Sequence, residues 1–310
     1  MKLLCLFLPV MSSFQRTGRR PAAQYMVRRR LSASPRAQDI FVTPSKDEGN
    51  IEAGGARESL PRRSPRQQGQ GFLIENSHND VSRLLCPTRQ VLEQGMLETA
   101  SLPHICIAGE SNAGKSSLIN HLLHKRSLAK ASSVAGKTRS VDMMLVNDRI
   151  VVTDLPGLPS RDGQVTAMWE TQWRPLVFEY LQRCDGLLAM LYVHDVRWKT
   201  SSLVREFLAD VEELGLPVLL VLTKDDRLVN ELRAPVEPGD EHALRQRLMQ
   251  RIRRSLNFDG VHLHYSTNSE LAASRKARRR LLRYIESMVE LGSREECADM
   301  LSGIARSKQL

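Results

Sequence analysis

From about residue 80 onward the chain carries short, almost unbroken apolar runs: "HICIA" (104–108), "RIVVTD" (149–154), "GLLAMLYV" (186–193), "PVLLVLT" (217–223) and "VHLHYS" (261–266). Continuous rather than alternating apolar character predicts strands covered on both faces. Between them lie stretches with apolar residues at helical spacing: 117–123, "SSLVREFLADVEELG" (201–215), "HALRQRLMQRIRRSL" (242–256) and "SRKARRRLLRYIESMVELG" (274–292). This alternation predicts an α/β fold, a mostly parallel sheet with helices on both faces. "SVDMMLVND" (140–148) alternates more weakly and runs almost directly into "RIVVTD", which predicts a hairpin that adds one antiparallel strand at the sheet edge. In such a sheet the loops that do chemistry lie at the carboxyl ends of the strands.

Residues 1–75 are different. They are rich in Arg, Ser, Gln, Pro and Gly, with no sustained apolar period after the first dozen, and are expected to be a disordered leader and linker. No acidic residue precedes Asp39, while Arg16, Arg19, Arg20, Arg28, Arg29, Arg30 and Arg36 accumulate among Ser and Ala, the composition of an organelle transit peptide. A mitochondrial address is the first expectation. Lys2 followed by "LLCLFLPV" also resembles a short secretory n- and h-region, a bipartite plastid-type leader would combine both, and a plain basic tail is the bland alternative. No run approaches the ~20 apolar residues a membrane helix needs. The five cysteines, Cys5, Cys86, Cys106, Cys184 and Cys297, are scattered without C-x-x-C spacing, so neither a disulfide framework nor a zinc site is expected. Residues 76–292 are expected to form one monomeric domain, with 293–310 as a C-terminal tail.

"GESNAGKSS", directly after the first apolar run, supplies chemistry. Gly109 and Gly114 keep Cβ atoms away, so backbone N–H groups of Glu110, Ser111, Asn112, Ala113 and their neighbours can turn toward an anion. Lys115 then reaches the β- and γ-phosphates, the Ser116 hydroxyl coordinates Mg²⁺, and Ser117 continues into a helix whose positive end supports the same charge. "DLPG" (Asp154, Leu155, Pro156, Gly157) ends another strand, where a carboxylate holds Mg²⁺ through water and the Gly157 N–H faces a γ-phosphate; alone it is also ordinary turn chemistry. "TKDD" ends a third: Thr223 closes the strand, the Lys224 stem packs along a base, and Asp226 can accept from the N1–H and N2–H₂ edge of guanine, which adenine lacks. A charged turn is the plain alternative. Ser266 and Thr267, after the last strand, are candidates for backbone contacts to guanine O6.

With these residues in place the chain resembles the EngB (YihA) family of translation-factor-related GTPases from about Leu84 to about Leu291. "GESNAGKSSLINHLL" is similar to the family's G-R-S-N-V-G-K-S-S-L-I-N-x-L, "SLAKASSVAGKTRSVDMMLV" to its switch I with P-G-K-T, "DLPGL" to D-L-P-G-Y, and "VLTKDDRL" to T-K-x-D-K-L. The resemblance implies a P-loop GTPase that binds GTP or GDP with Mg²⁺ and assists assembly of a large ribosomal subunit, here an organellar one. It implies that Gly136, Lys137 and Thr138 belong to switch I, with Thr138 closing over Mg²⁺ and the γ-phosphate, and that Asn112 helps to hold a K⁺ ion acting as a fixed arginine finger. A turn-forming Asn is the equal alternative there. The departures are Glu110 for Arg, which puts negative charge near the phosphates, Leu158 for Tyr, Ala135 for Pro, and a missing second Asp after Asp195. Leu158 sits where Ras-like enzymes place a water-orienting Gln. Slow hydrolysis is therefore expected, involving Lys115, Thr138, Gly157 and Asn112 and accelerated by K⁺ and the partner. A non-catalytic GTP-gated scaffold is one rival; a P-loop kinase, for which "TKDD" would be accidental, is the other.

The formal net charge of +10 suggests a polyanionic partner. Beyond the leader, Arg245, Arg247, Arg251, Arg253 and Arg254 share one helix and Arg275, Lys276, Arg278, Arg279, Arg280 and Arg283 another. In the latter, Ala277, Leu281, Leu282, Ile285 and Met288 or Val289 mark a core-facing stripe that would push the arginines outward. With few aromatics nearby, structured ribosomal RNA is the expected partner, met through Arg251, Arg253, Arg254, Arg275, Arg279, Arg280 and Arg283.

Overall fold

The structure is a computed structural model that describes residues 79–125, 128, 140–159, 163–224, 240–268 and 272–307. Along the chain run β1 (Val81–Cys86), α1 (Arg89–Glu98), β2 (His104–Gly109), α2 (Lys115–Leu122), β3 (Val141–Val146) and β4 (Ile150–Asp154). There follow α3 (Gly163–Met168), which passes through one π-helical turn (Trp169–Trp173) into α4 (Arg174–Arg183), β5 (Leu187–Asp195), α5 (Ser202–Glu213), β6 (Val218–Thr223), α6 (Asp240–Leu256), β7 (His262–Tyr265), α7 (Ala272–Leu291) and α8 (Arg294–Ser307).

The strands form one sheet in the order β1-β3-β4-β2-β5-β6-β7. β4, β2, β5, β6 and β7 are mutually parallel, and β3 runs antiparallel to both its neighbours. The hairpin read from the sequence is β3–β4. Asn147, Asp148 and Arg149 connect the paired ends Val146 and Ile150; Asn147 and Asp148 both adopt positive φ (51° and 53°), and Arg149 N donates to Val146 O at 3.0 Å. β3 lies one place in from the edge, because β1 adds outside it.

Every residue of β2, β4 and β5 is buried, which explains their unbroken apolar runs. On one face Cys106, Met190 and Tyr192 pack under α1, α4, α5 and α6. On the other, Ile105, Ile107, Leu191 and Val221 pack under α2, α7 and α8. The segment read as a tail holds a packed helix: Cys297 and Leu301 of α8 are buried, and Arg294 donates to Leu187 O at 2.7 Å and Cys184 O at 3.2 Å. The expected leader lies outside the described residues. Among the described residues no helix is long and apolar enough to cross a membrane.

Candidate functional site

Three parallel strands end at the same end of the sheet, β4 in Asp154 next to β2 in Gly109, and β6 in Thr223 beyond the intervening β5. The loop 109–114 turns there into α2. Gly109 has φ of 147°, and a Cβ on it would lie 2.2 Å from Val193 O of β5; Gly114 has φ of 107°. Only residues without a side chain pass that close to the neighbouring strand in those conformations. The loop is anchored from β6. Thr223 Oγ1 lies 2.5 Å from Ala113 O and 3.2 Å from His194 O, and Lys224 Nζ donates to Asn112 O at 2.8 Å.

Lys115 is buried, its ammonium donating to Gly109 O at 3.0 Å and Glu110 O at 3.1 Å across the mouth of the loop. Burial pushes its pKa down, and the charges of Asp154 and Glu110 pull it back up. The Ser116 hydroxyl lies 3.4 Å from Asp154 Oδ2, while Asp154 Oδ1 is buried with no hydrogen-bond partner among the described residues. Burial pushes the Asp154 carboxyl up to about 7 against the pull of Lys115, and Asp142, its opposite in the β3–β4 ladder, adds to the rise. A hydroxyl beside a carboxylate with an unmet buried oxygen is the hard oxygen donor set that Mg²⁺ takes. Ser116 and Asp154 therefore fit that ion.

Residues 155–158 run on beside the loop. Leu158 N donates to Gly109 O at 3.1 Å and Ser111 N to Leu158 O at 2.8 Å, forming a bridge between Glu110 and Leu158. A Cβ on Gly157 would stand 2.7 Å from Ser111 Oγ and 3.0 Å from Lys115 Nζ, so its bare Cα lets the segment lie against the cradle. The Leu158 side chain is fully buried in the apolar cluster with Trp169 and Trp173, where it orients no water. Glu110, whose charge acts on Lys115, is itself buried. Its carboxylate turns into the interior, Oε2 3.8 Å from His194 Nδ1, and burial pulls the pKa of that histidine down to about 4.

The structure brings together Gly109–Ser117, Asp154–Gly157 and Thr223–Lys224. Ser266 leaves β7 beside Thr223: Tyr265 pairs with Thr223, Ser266 O accepts from Ser274 Oγ at 2.5 Å, and Thr267 is exposed. Gly136, Lys137, Thr138 and Asp226 lie outside the described residues. Sequence reasoning missed the surroundings of Lys224, whose ammonium lies 2.8 Å from Asp195 Oδ2 and 5.3 Å from the centroid of the Trp198 ring. It also missed Arg83 on the edge strand β1, which pairs with Asp142 of β3 and donates to Leu128 O at 3.1 Å.

The arginines divide. α6 and α7 cover opposite faces of the sheet, so they present two patches on either side of β7. On α7, Arg275, Lys276, Arg279, Arg280 and Arg283 are exposed, and Arg280 leans on Tyr284. Arg278 is not outward as the stripe predicted. It is 4% exposed and donates from Nε to His121 O (3.0 Å) and from Nη2 to Leu122 O (2.8 Å), satisfying the carbonyl end of α2. On α6, Arg251 and Arg254 are exposed, whereas Arg253 is half-buried and holds Phe258 O, Asp259 O and the Asp259 carboxylate.

Residues 104–224 match the family described as 50S ribosome-binding GTPase. The chain is 36% identical over 135 residues to a probable GTP-binding protein EngB of Syntrophomonas wolfei subsp. wolfei, covering 43% of this chain and 67% of that protein. It is 37% identical over 129 residues to the corresponding protein of Edwardsiella ictaluri, covering 42% and 58%. Among solved structures it is similar to that of a probable GTP-binding protein engB, with 17% identity, 60% and 98% coverage and a TM-score of 0.40.

Proposed function

Since the chain belongs to the EngB family of GTPases, we propose that it is a slow GTP-hydrolysing switch in the assembly of a large ribosomal subunit, that of the mitochondrion. The observation that carries the GTP reading is the convergence of Lys115, Ser116 and Asp154 around a glycine cradle, with one carboxylate oxygen left unmet. Lys115, already poised over the loop, exchanges its carbonyl partners for the β- and γ-phosphates. Ser116 and Asp154 would hold Mg²⁺, which would neutralise the charge of the phosphates. Gly157 offers its N–H to the γ-phosphate from the segment zipped to Gly109 and Ser111. Thr138 closes from switch I, Asp226 reads guanine, and Ser266 and Thr267 border the base. Asn112 holds K⁺.

The ribosomal reading is supported by the description of the matched family and by the exposed cations of α7. From 272 to 285 that helix carries no acidic residue, so Arg275, Arg279, Arg280 and Arg283 present a field suited to the phosphates of a folded RNA. Arg251 and Arg254 add a second patch. The mitochondrial address is supported by the Arg-rich, acid-free first 38 residues.

A GTP-gated scaffold without turnover is the second reading, favoured by the burial of Leu158. Affinities of the full chain for GTP, GDP and ATP, followed by single-turnover hydrolysis in KCl and in NaCl, separate the two. Guanine selectivity with faster turnover in K⁺ supports the switch; selectivity without turnover in either salt supports the scaffold. Equal binding of ATP and GTP would sink both.

A further inference from the structure

Asp195 is the last residue of β5, its side chain fully buried at the strand end next to Thr223. Burial alone would raise its pKa, but hydrogen bonds from Arg197 and Lys224 bring it below the usual carboxylate value, so it is charged at neutral pH. Arg197 grips it with Nε to Oδ1 (2.9 Å) and Nη2 to Oδ2 (2.8 Å), and the Arg197 backbone N–H adds a bond of 3.1 Å. That fork fixes the carboxylate plane. Lys224 Nζ stands 2.8 Å from Oδ2 on one side and 2.8 Å from Asn112 O on the other, with the Trp198 ring beneath it. Its own backbone has φ of 59°, a region that side-chain-bearing residues seldom occupy.

A lysine is a flexible stem with a point charge, and it makes a firm platform only where its ammonium is held. Here a carboxylate, a carbonyl and an indole face hold it, and only the carboxylate carries a full opposite charge. Resting on the GTP-binding reading above, we propose that Asp195 is a positioning residue for the nucleotide. It fixes the ammonium of Lys224, and through it the stem along which the base packs. The platform is thus built before the nucleotide arrives, and binding does not have to order it.

Lys224 belongs to the base side of the site, which GTP and GDP share. Asp195→Asn in the full chain should therefore weaken both nucleotides alike, by about tenfold, raising KM while leaving saturated turnover within about twofold. A lesion on the phosphate side would instead separate GTP from GDP. The second arm is a cycle with Lys224→Met: the double variant should bind no more weakly than Lys224→Met alone. Should Asp195→Asn fail to fold, as judged by its melting transition, Asp195→Glu keeps the charge and the Arg197 pair but displaces the oxygen facing Lys224, and the same losses are expected. Unchanged affinity in the folded variants, or a full additive loss in the double variant, would overturn the proposal while leaving GTP binding intact. A wild-type chain that does not prefer guanine nucleotides over ATP would overturn the reading beneath it.

Discussion

Asp154 Oδ2 lies 3.4 Å from the Ser116 hydroxyl, while Oδ1 of the same carboxylate is buried without a partner among the described residues. In the free protein that carboxylate is a cost. Its folded pKa is raised from 3.8 to about 7, so its contribution favours folding at acid pH and is lost as pH rises between those values. Asp154→Asn should therefore raise the melting temperature of the nucleotide-free protein at pH 8, by ~2–4 °C for each kcal/mol recovered, and should bring little gain at pH 4. The same variant should lose Mg²⁺-dependent enhancement of GTP binding. A variant less stable at pH 8, or one that keeps the Mg²⁺ effect, would contradict this account of the site.

Gly109 and Gly157 should fail in different ways when given a methyl group. At Gly109 the added Cβ meets the backbone of Val193, at a φ that L-residues avoid, so Gly109→Ala should lower stability by ~2 kcal/mol or more. At Gly157 the added Cβ meets Ser111 Oγ at 2.7 Å and, at 3.0 Å each, Lys115 Nζ and the backbone Cα of Ser111, so two side-chain ends can move but the loop backbone must also give. Gly157→Ala should lose less stability than Gly109→Ala but lower single-turnover hydrolysis by about tenfold or more, because the methyl group presses on the lysine that meets the phosphate and on the loop beside it. Melting curves read beside single-turnover rates check both outcomes.

The buried strands β2, β4, β5 and β6 and the loops that close them were legible because each combines an apolar run with a glycine, carboxylate or lysine at its end. β1 was not. Ser82 and Arg83 interrupt its apolar positions and Leu85 is 50% exposed, as an edge strand allows, so no period of two stands out. Arg278 was misread because the helical period marks a face without revealing that a guanidinium on it can satisfy another helix's carbonyls. The network around Lys224 joins residues 112, 195, 197, 198 and 224, which only the sheet order brings together.

The helix α8 carried a signal that went unread. Ser293, followed three residues later by Glu296, caps the helix: Glu296 N donates to Ser293 Oγ at 3.2 Å and the hydroxyl donates to Glu296 Oε2 at 3.0 Å. Ser293→Ala should cost ~1 kcal/mol. Leu301→Ala, emptying a site only 6% exposed, should cost ~2–4 kcal/mol, and both should leave nucleotide affinity unchanged because α8 contributes no residue to the cradle at the Gly109 edge. Urea titrations with parallel nucleotide binding check this. A loss of nucleotide affinity without loss of stability would assign α8 to the site instead.

The two sides of α7 offer the sharpest test of the RNA reading, since neighbouring arginines do different work. Arg279 is exposed, whereas Arg278, one residue earlier, holds His121 O and Leu122 O at the end of the helix that begins with Lys115. Arg279→Glu combined with Arg283→Glu should leave melting within ~0.5 kcal/mol of wild type, weaken cosedimentation with mitochondrial large-subunit precursors, and flatten the salt dependence of binding by about one unit of slope for each phosphate left without its cation. Arg278→Met should do the reverse, leaving two buried carbonyls without their donor at a cost of ~1–3 kcal/mol while keeping the salt slope. Unchanged cosedimentation of the double charge reversal would remove α7 as the docking face. The patch of Arg251 and Arg254, on the other side of β7, would then be the surface to reverse next.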